Sequence, residues 1–599
     1  MPPKRAAATA SSAATKKAVA TTTTTKKTTT TTATKKTATA AATKKTTTAA
    51  ATKKTAAVTK KAAAAPKKAA AAPKKAAPKK AAPKKKAVAE APESDKENEE
   101  ELEKKVTATK RKRGQDDEEQ APVASSEDEI TQDHVDAQAQ PAKKRKVAAP
   151  KAPVAKRPAR ALKAINEKPE KVVDMFVFGE GTAGELGLGS VKVDGKKPID
   201  VKRPRLNPNV SNVVQIACGG MHVAALTKDN KIFTWGVNDQ GALGRDTTWD
   251  GGLRDVEDED EDSDDEDDTG MNPKESTPAE IDTTGLPEDI EWVQVVASDS
   301  ATFALTTTGQ VYGWGTFRSN EGVLGFSRTV SIQKTPAHVP ELSKIKQLAA
   351  GLNHVLALDE KNKIYAWGAG QQAQLARRLL ERDDTAALYP TGVGSLPGRA
   401  KAVKLACGSY HCFVIDTKGR VISWGLNNYA ECGHEDSVGV DGGYVMRPQI
   451  VESLSGYEIA DIAGGEHHSL ACTTDGKLLT WGRIDGHQVG QPAGSFSEDN
   501  TIYDDRQKPR ILVVPTEIPE VKDVVQVAAG TDHSFAVTKD GKVYSWGFSA
   551  NYQTGQGTTD DIESPTLIDN TAIRDRKIVF AGAGGQYGIV AAEKEDEQN

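Results

Sequence analysis

The stretch GGMHVAALTKDNKIFTWG, residues 219–236, decides the fold because its outline keeps returning along the chain. It comes back as GLNHVLALDEKNKIYAWG from Gly351, GSYHCFVIDTKGRVISWG from Gly408, GGEHHSLACTTDGKLLTWG from Gly464 and GTDHSFAVTKDGKVYSWG from Gly530. Each copy runs from Gly-x-x-His through an alternating segment to a turn such as Asp475-Gly476 or Asp540-Gly541. A second alternating segment follows and ends in Trp-Gly. Period-two alternation on both sides of a glycine turn specifies a β-hairpin. The closing glycines are Gly179, Gly236, Gly315, Gly368, Gly425, Gly482 and Gly547, spaced 57, 79, 53, 57, 57 and 65 residues apart. Seven units follow from this, with an insertion at about 251–279 in the longest interval.

The two ends of the array decide between an open and a closed arrangement. IVFAGAGGQYGIVAA, ending at Ala592, begins a unit but lacks its Trp-Gly half, and VVDMFVFGEGTAGELGLG at 172–189 supplies that half at the other end. Joined, they make one blade. The expected fold is therefore all-β: a seven-bladed β-propeller of four-stranded blades over 169–593, with 594–599 as a short C-terminal tail. A solenoid, which needs capping units, is the alternative.

The repeat also sets the default role of its histidines and tryptophans. His222, His354, His411, His467 and His533 are read as one repeat position, a scaffold role in which a ring nitrogen donates to a neighbouring carbonyl. Trp235, Trp314, Trp367, Trp424, Trp481 and Trp546 are packing residues between sheets. One imidazole per blade places these rings too far apart to hold zinc, so no metal is expected. The five cysteines, Cys218, Cys407, Cys412, Cys432 and Cys472, form no C-x-x-C pair and read as reduced core thiols.

Charge along the chain is segregated, and the net charge of −3 conceals it. Residues 1–89 hold 23 Lys or Arg and no acid, whereas 255–268 hold 12 acids in 14 positions. Ala, Thr, Pro and Lys bury too little apolar surface to offset chain entropy, so 1–168 is expected to be a disordered basic tail. The crowded pairs Lys67-Lys68, Lys74-Lys75, Lys79-Lys80 and the triplet Lys84, Lys85 and Lys86 look like a linker-histone tail, suited to DNA without sequence preference. A merely solvating tail is the alternative. Lys110, Arg111, Lys112 and Arg113, then Lys143, Lys144, Arg145 and Lys146, fit nuclear import signals and imply import receptors as partners. The acidic insertion reads as a solvated loop or as a partner for basic surfaces. No apolar run is long enough for a membrane span, so a soluble intracellular protein without membrane contact is expected. Neither a phosphate loop nor a G-x-S-x-G elbow nor H-E-x-x-H is found, which leaves function to whatever breaks the repeat.

The break is WGTFRSNEGVLGFSRTVSI at 314–332, preceded by a half-unit with Ala301 where the histidine should stand and Asp299 beside it. Here the sequence resembles the regulator of chromosome condensation family, nuclear guanine nucleotide exchange factors for the small GTPase Ran. The likeness runs from about residue 171 to 592. It includes the repeat length, the closure by N-terminal strands and VNDQGALGRD at 237–246. FRSNEGVLGF is its most specific part, because it resembles the β-hairpin wedge those factors insert beside the nucleotide. The resemblance implies wedge residues Arg318, Asn320, Gly322, Val323, Leu324, Gly325 and Phe326, an acidic loop residue at Asp299, and a functional histidine at His467 or His468. Two family aspartates are replaced, one by Asn353 and one by Thr182. It further implies Ran and chromatin, both nucleosomal DNA and histones, as partners. Exchange of this kind involves neither covalent chemistry nor a cofactor of the protein's own. A non-catalytic chromatin adaptor is the rival class.

Overall fold

The computed structural model describes residues 162–251, 269–380 and 383–594, all within the compact unit Arg145–Asn599. The lysine pairs, both import clusters and the acidic run 255–268 lie outside the described residues. Seven strands, Val213–Cys218, Trp292–Ala297, Ile345–Ala350, Ala402–Cys407, Ile459–Gly464, Val524–Ala529 and Ile578–Ala583, each begin a blade, and each packs against the next. The last packs against the first, so the ring is closed. We number the blades 1 to 7 in that order.

Blade 7 forms the seam. Its strands Ile578–Ala583 and Tyr587–Glu593 are completed by Val173–Gly179 and Val201–Leu206 from the other end of the domain. Val173–Gly179 pairs along its whole length with Tyr587–Glu593, from Val173 opposite Glu593 to Gly179 opposite Tyr587. This pairing leaves no free sheet edge at the junction, as expected from the two half-units. The insertion is shorter than expected. Residues 269–279 rejoin blade 1 through a turn of helix, Pro273–Ser276, capped by Asn272, and lead into its outer strand Ala279–Glu280.

Neighbouring blades are tied by a repeated polar node. Trp314 Nε1 of blade 2 donates to Ala242 O of blade 1 (2.8 Å), and Thr302 Oγ1 of blade 2 donates to the same oxygen (2.9 Å). His222 Nε2 of blade 1 meets that hydroxyl at 2.8 Å. Because the hydroxyl spends its proton on the carbonyl, Nε2 is the nitrogen that carries the imidazole proton. Ser469 with His411 and Trp481, and Ser534 with His468 and Trp546, repeat the node on Glu431 O and Gln488 O. The histidine therefore reaches its carbonyl through a hydroxyl of the next blade, not directly. Nδ1 of His411, His468 and His533 has no hydrogen-bond partner, so a second proton there would be unsolvated. Burial accordingly pushes His222 and His533 down to about 4 and His468 to about 3. At the seam Tyr587 stands in the histidine position and its hydroxyl donates to Gly219 O and His222 O.

The register corrects one assignment. The residue facing the Trp-Gly glycine is His222, His354, His411 and His533 in four blades, but in blade 5 it is His468, opposite Gly482. His467 is not the repeat histidine. The blade 5 copy carries one extra residue before the histidine when counted from Gly464, and the constant interval is the 14 residues back from the closing glycine.

Candidate functional site

Every blade presents two loop residues immediately before its repeat histidine position, and those loops ring one mouth of a narrow central channel. The channel, about 130 Å³, is lined by small residues such as Gly219, Ser298, Gly351, Gly408, Gly465, Gly530 and Gly584. At each mouth position the residue before the histidine differs between blades: Met221, Ser300, Asn353, Tyr410, His467, Asp532 and Gln586. The scaffold repeats while this ring varies.

The wedge rises from this same end. In blades 1, 3, 4, 5 and 7 the third strand is followed by a tight turn whose carbonyl receives the next blade's Trp Nε1, as Ala242 and Glu431 do. In blade 2 that place is taken by the hairpin Phe317–Ser319 and Gly322–Gly325, with Arg318 opposite Val323 and Ser319 opposite Gly322. Gly322 lies at φ 119°, a conformation that favours glycine, and closes the Asn320-Glu321 turn. The base is locked by aromatic rings. Phe303 stacks on Phe317 at 5.8 Å and on Phe326 at 6.0 Å, and meets Trp367 edge-on at 5.5 Å. Leu324 packs against the same cluster, whereas Arg318, Asn320 and Val323 are exposed. Blade 3 fixes the hairpin's backbone. Asn353 Oδ1 accepts from Arg318 N–H (2.8 Å) and Gln371 Oε1 from Asn320 N–H (3.2 Å).

Asp299 sits at the mouth beside this hairpin. Its N–H donates to Leu352 O (2.8 Å), and its Oδ2 accepts from Ser300 Oγ (3.0 Å). His467 and His468 separate clearly. His468 is fully buried on Ser534, as a scaffold residue. His467 is at the mouth, with Nδ1 2.8 Å from Oε1 of the completely buried Glu431 and its ring 4.8 Å from that of Tyr429. Glu431 Oε2 in turn accepts from Tyr429 N–H (2.8 Å). Arg483 and Arg510 both lie over Tyr429, at 5.7 and 5.6 Å. Glu466, raised by burial, and Asp532, held by Gln488 Nε2 at 2.7 Å, extend the polar rim. Thr182 is in the blade 7 turn, donating to Glu180 Oε1 at 2.9 Å.

Glu431, Tyr429, Gln371 and Glu466 were not anticipated from the sequence. A signal existed for Glu466, which occupies the position equivalent to Asp299, two before the repeat histidine. Glu431 belongs to the turn that carries the tryptophan's acceptor, and nothing local marks it as a partner for His467.

The opposite end of the blades receives the chain from the tail. Ile165 and Asn166 N–H donate to Thr307 O (2.8 and 3.0 Å), and Asn166 Nδ2 donates to Thr306 O and Ile345 O. Thr306 ends the strand that starts at Ala301 beside the wedge, so Ile165 and Asn166 are bound at the end of blade 2 away from the wedge.

A closed seven-bladed propeller whose repeat turn is replaced, once, by an aromatic-anchored hairpin defines a protein that works by presenting one face to a partner. Residues 174–590 match the family model for the RCC1-like domain, and the chain belongs to that family. It is 42% identical over 438 residues to Protein pim1 of Schizosaccharomyces pombe, covering 72% of this chain and 77% of the relative. It is 41% identical over 440 residues to guanine nucleotide exchange factor SRM1 of Saccharomyces cerevisiae, covering 71% and 89%. Among solved structures it is similar to Prp20p from Saccharomyces cerevisiae, described with its binding properties to Gsp1p and histones (39% identity, TM-score 0.63, 72% and 93% covered). It is also similar to yeast RCC1 (Prp20) with Kap60 bound (38% identity, TM-score 0.64, 75% and 98% covered).

Proposed function

We propose that the protein is a guanine nucleotide exchange factor for the small GTPase Ran, acting in the nucleus at chromatin. The observation that carries this reading is the wedge hairpin, braced by Phe303 and Asn353 at the same mouth as Asp299 and His467. Similarity to a named exchange factor at 41% identity supports the same activity here.

The mechanism is one of differential binding. A hairpin that is rigid before contact pays little ordering entropy, so its exposed residues, Arg318, Asn320 and Val323, can displace GTPase loops from the nucleotide's phosphates and Mg²⁺. If the nucleotide-free GTPase binds more tightly than the loaded one, linkage weakens nucleotide binding by the same factor. An acceleration of about 10⁵-fold corresponds to roughly 7 kcal/mol, within reach of a few desolvated polar contacts. No covalent step is involved, and the exchange factor uses neither metal nor cofactor of its own.

In this reading the lysine-rich segment engages nucleosomal DNA, and the two clusters 110–113 and 143–146 engage import receptors. Release of a fluorescent GDP analogue from Ran, with the full chain added in catalytic amounts, tests the reading. Acceleration by orders of magnitude is expected. A folded chain that leaves release at its intrinsic rate would overturn exchange and favour the chromatin adaptor.

A further inference from the structure

The polar node carries a hydroxyl at the junctions of blades 1 and 2, 4 and 5, and 5 and 6. Between blades 3 and 4 the hydroxyl is replaced by a thiol. His354 Nε2 meets Cys412 Sγ at 3.1 Å, and that sulfur lies 3.4 Å from Gln374 O. A second thiol, Cys407, stands directly across the hairpin from Cys412. The two sulfurs and the imidazole nitrogen all lie within 4.8 Å of one another. Gly408 N–H donates to His411 O, which makes Cys407 and Cys412 the adjacent non-hydrogen-bonded pair, where antiparallel backbones approach to about 4.5 Å between Cα atoms. That separation is inside the range a disulfide spans, so side-chain rotation alone can bring the sulfurs together.

We infer that Cys407 and Cys412 form a peroxide-oxidisable dithiol that closes to an intrablade disulfide. Cys407 lines the central channel, through which a molecule as small as hydrogen peroxide can reach it, while Cys412 is completely buried behind it. The first sulfur attacks a peroxide oxygen, the O–O bond breaks and water leaves, giving a sulfenic acid. The Cys412 sulfur then attacks the Cys407 sulfur, the S–O bond breaks, and the hydroxyl leaves with the Cys412 proton as water. Over both steps two thiols and one peroxide yield one disulfide and two waters. The electrostatics agree with this division of labour. Burial would raise Cys407, but the bond with Cys412 and the His354 imidazole outweigh it and draw the thiol below its ordinary range, whereas burial pushes Cys412 well above. His354 is a positioning residue here, and it adjoins Asn353, the acceptor that holds the wedge.

The repeat supplies its own control. Cys218 occupies the equivalent place in blade 1 and lines the same channel, but it faces Val223 and so has no resolving thiol. The full chain is exposed to hydrogen peroxide under native conditions, then unfolded, capped with N-ethylmaleimide and digested with trypsin, which releases both cysteines on the peptide 405–418. The expected product is an uncapped peptide two hydrogens lighter than the dithiol, reversed by dithiothreitol, appearing about tenfold faster than any loss of Cys218 capping. Cys407→Ala and Cys412→Ser install residues that other blades already carry there, Ala350 and Ser469, and both are expected to fold. The first abolishes the product, and the second arrests Cys407 as a sulfenic acid trapped by dimedone. Full capping of both thiols after exposure that consumes Cys218 overturns the inference. Conversion of Cys407 to a sulfinic acid with Cys412 still capped overturns it equally. Neither result depends on whether the chain exchanges nucleotide.

Discussion

Asn353 acts through a single atom, its Oδ1 on Arg318 N–H. Removing it with Asn353→Ala leaves that N–H to water and frees the hairpin base on one side. A lost hydrogen bond of about 1–1.4 kcal/mol predicts a five- to tenfold fall in kcat/KM for GDP release, with little change in stability. Asn353→Asp keeps the acceptor and should retain most activity, which GDP-release kinetics on the two variants would check. The resemblance implied a family aspartate at this position, and the structure gives the Asn an acceptor role that a carboxylate could also fill. The sequence was ambiguous between His467 and His468, because only the interval back to Gly482 separates a mouth residue from a scaffold one. The His467–Glu431 contact spans 36 residues of sequence and two blades, and no local pattern encodes such a pairing.

At the scale of the element, the wedge separates residues that build it from residues that use it. Val323 is 47% exposed at the hairpin edge, whereas Phe317 is fully buried against Phe303. Val323→Asp should therefore leave the thermal midpoint within a degree or two while reducing exchange about 30-fold, the effect of a contact worth roughly 2 kcal/mol at a partner surface. Phe317→Ala should instead cost about 3–5 kcal/mol of stability through the cavity it leaves, and lose exchange as a consequence. Parallel unfolding and GDP-release measurements distinguish the two. A Val323 variant that unfolds early would show that the hairpin tip is packed. The hairpin was legible because FRSNEGVLGF interrupts a repeat of known outline, and the closed ring was legible because its two half-units match. What no pattern announced was the bracing by Gln371 and the outer boundary of the insertion, since both depend on contacts between blades.

For the molecule as a whole, the inter-blade histidines couple ring stability to pH. His222, His533 and His468 are held by burial at about 4, 4 and 3, and His411 well below its ordinary value for the same reason, against about 6.5 in the unfolded chain. A depressed histidine means that the unfolded state binds protons that the folded state refuses. Stability is then fully present above pH 6.5 and falls as pH drops toward the folded values, by about 1.4 kcal/mol per pH unit for each such imidazole. Glu185 and Glu466, raised by burial, act in the opposite sense, so the histidine contribution is cleanest in the upper part of the window, between about pH 6.5 and 5. His533→Ala is the informative variant, because neither of its ring nitrogens has a hydrogen-bond partner and its removal breaks the fewest bonds. Urea unfolding across pH 7.5 to 5 should show the variant losing less stability on acidification than the parent, with a slope smaller by about one proton. Equal slopes would mean that His533 titrates alike in both states, and that the ring tolerates a charge between its blades.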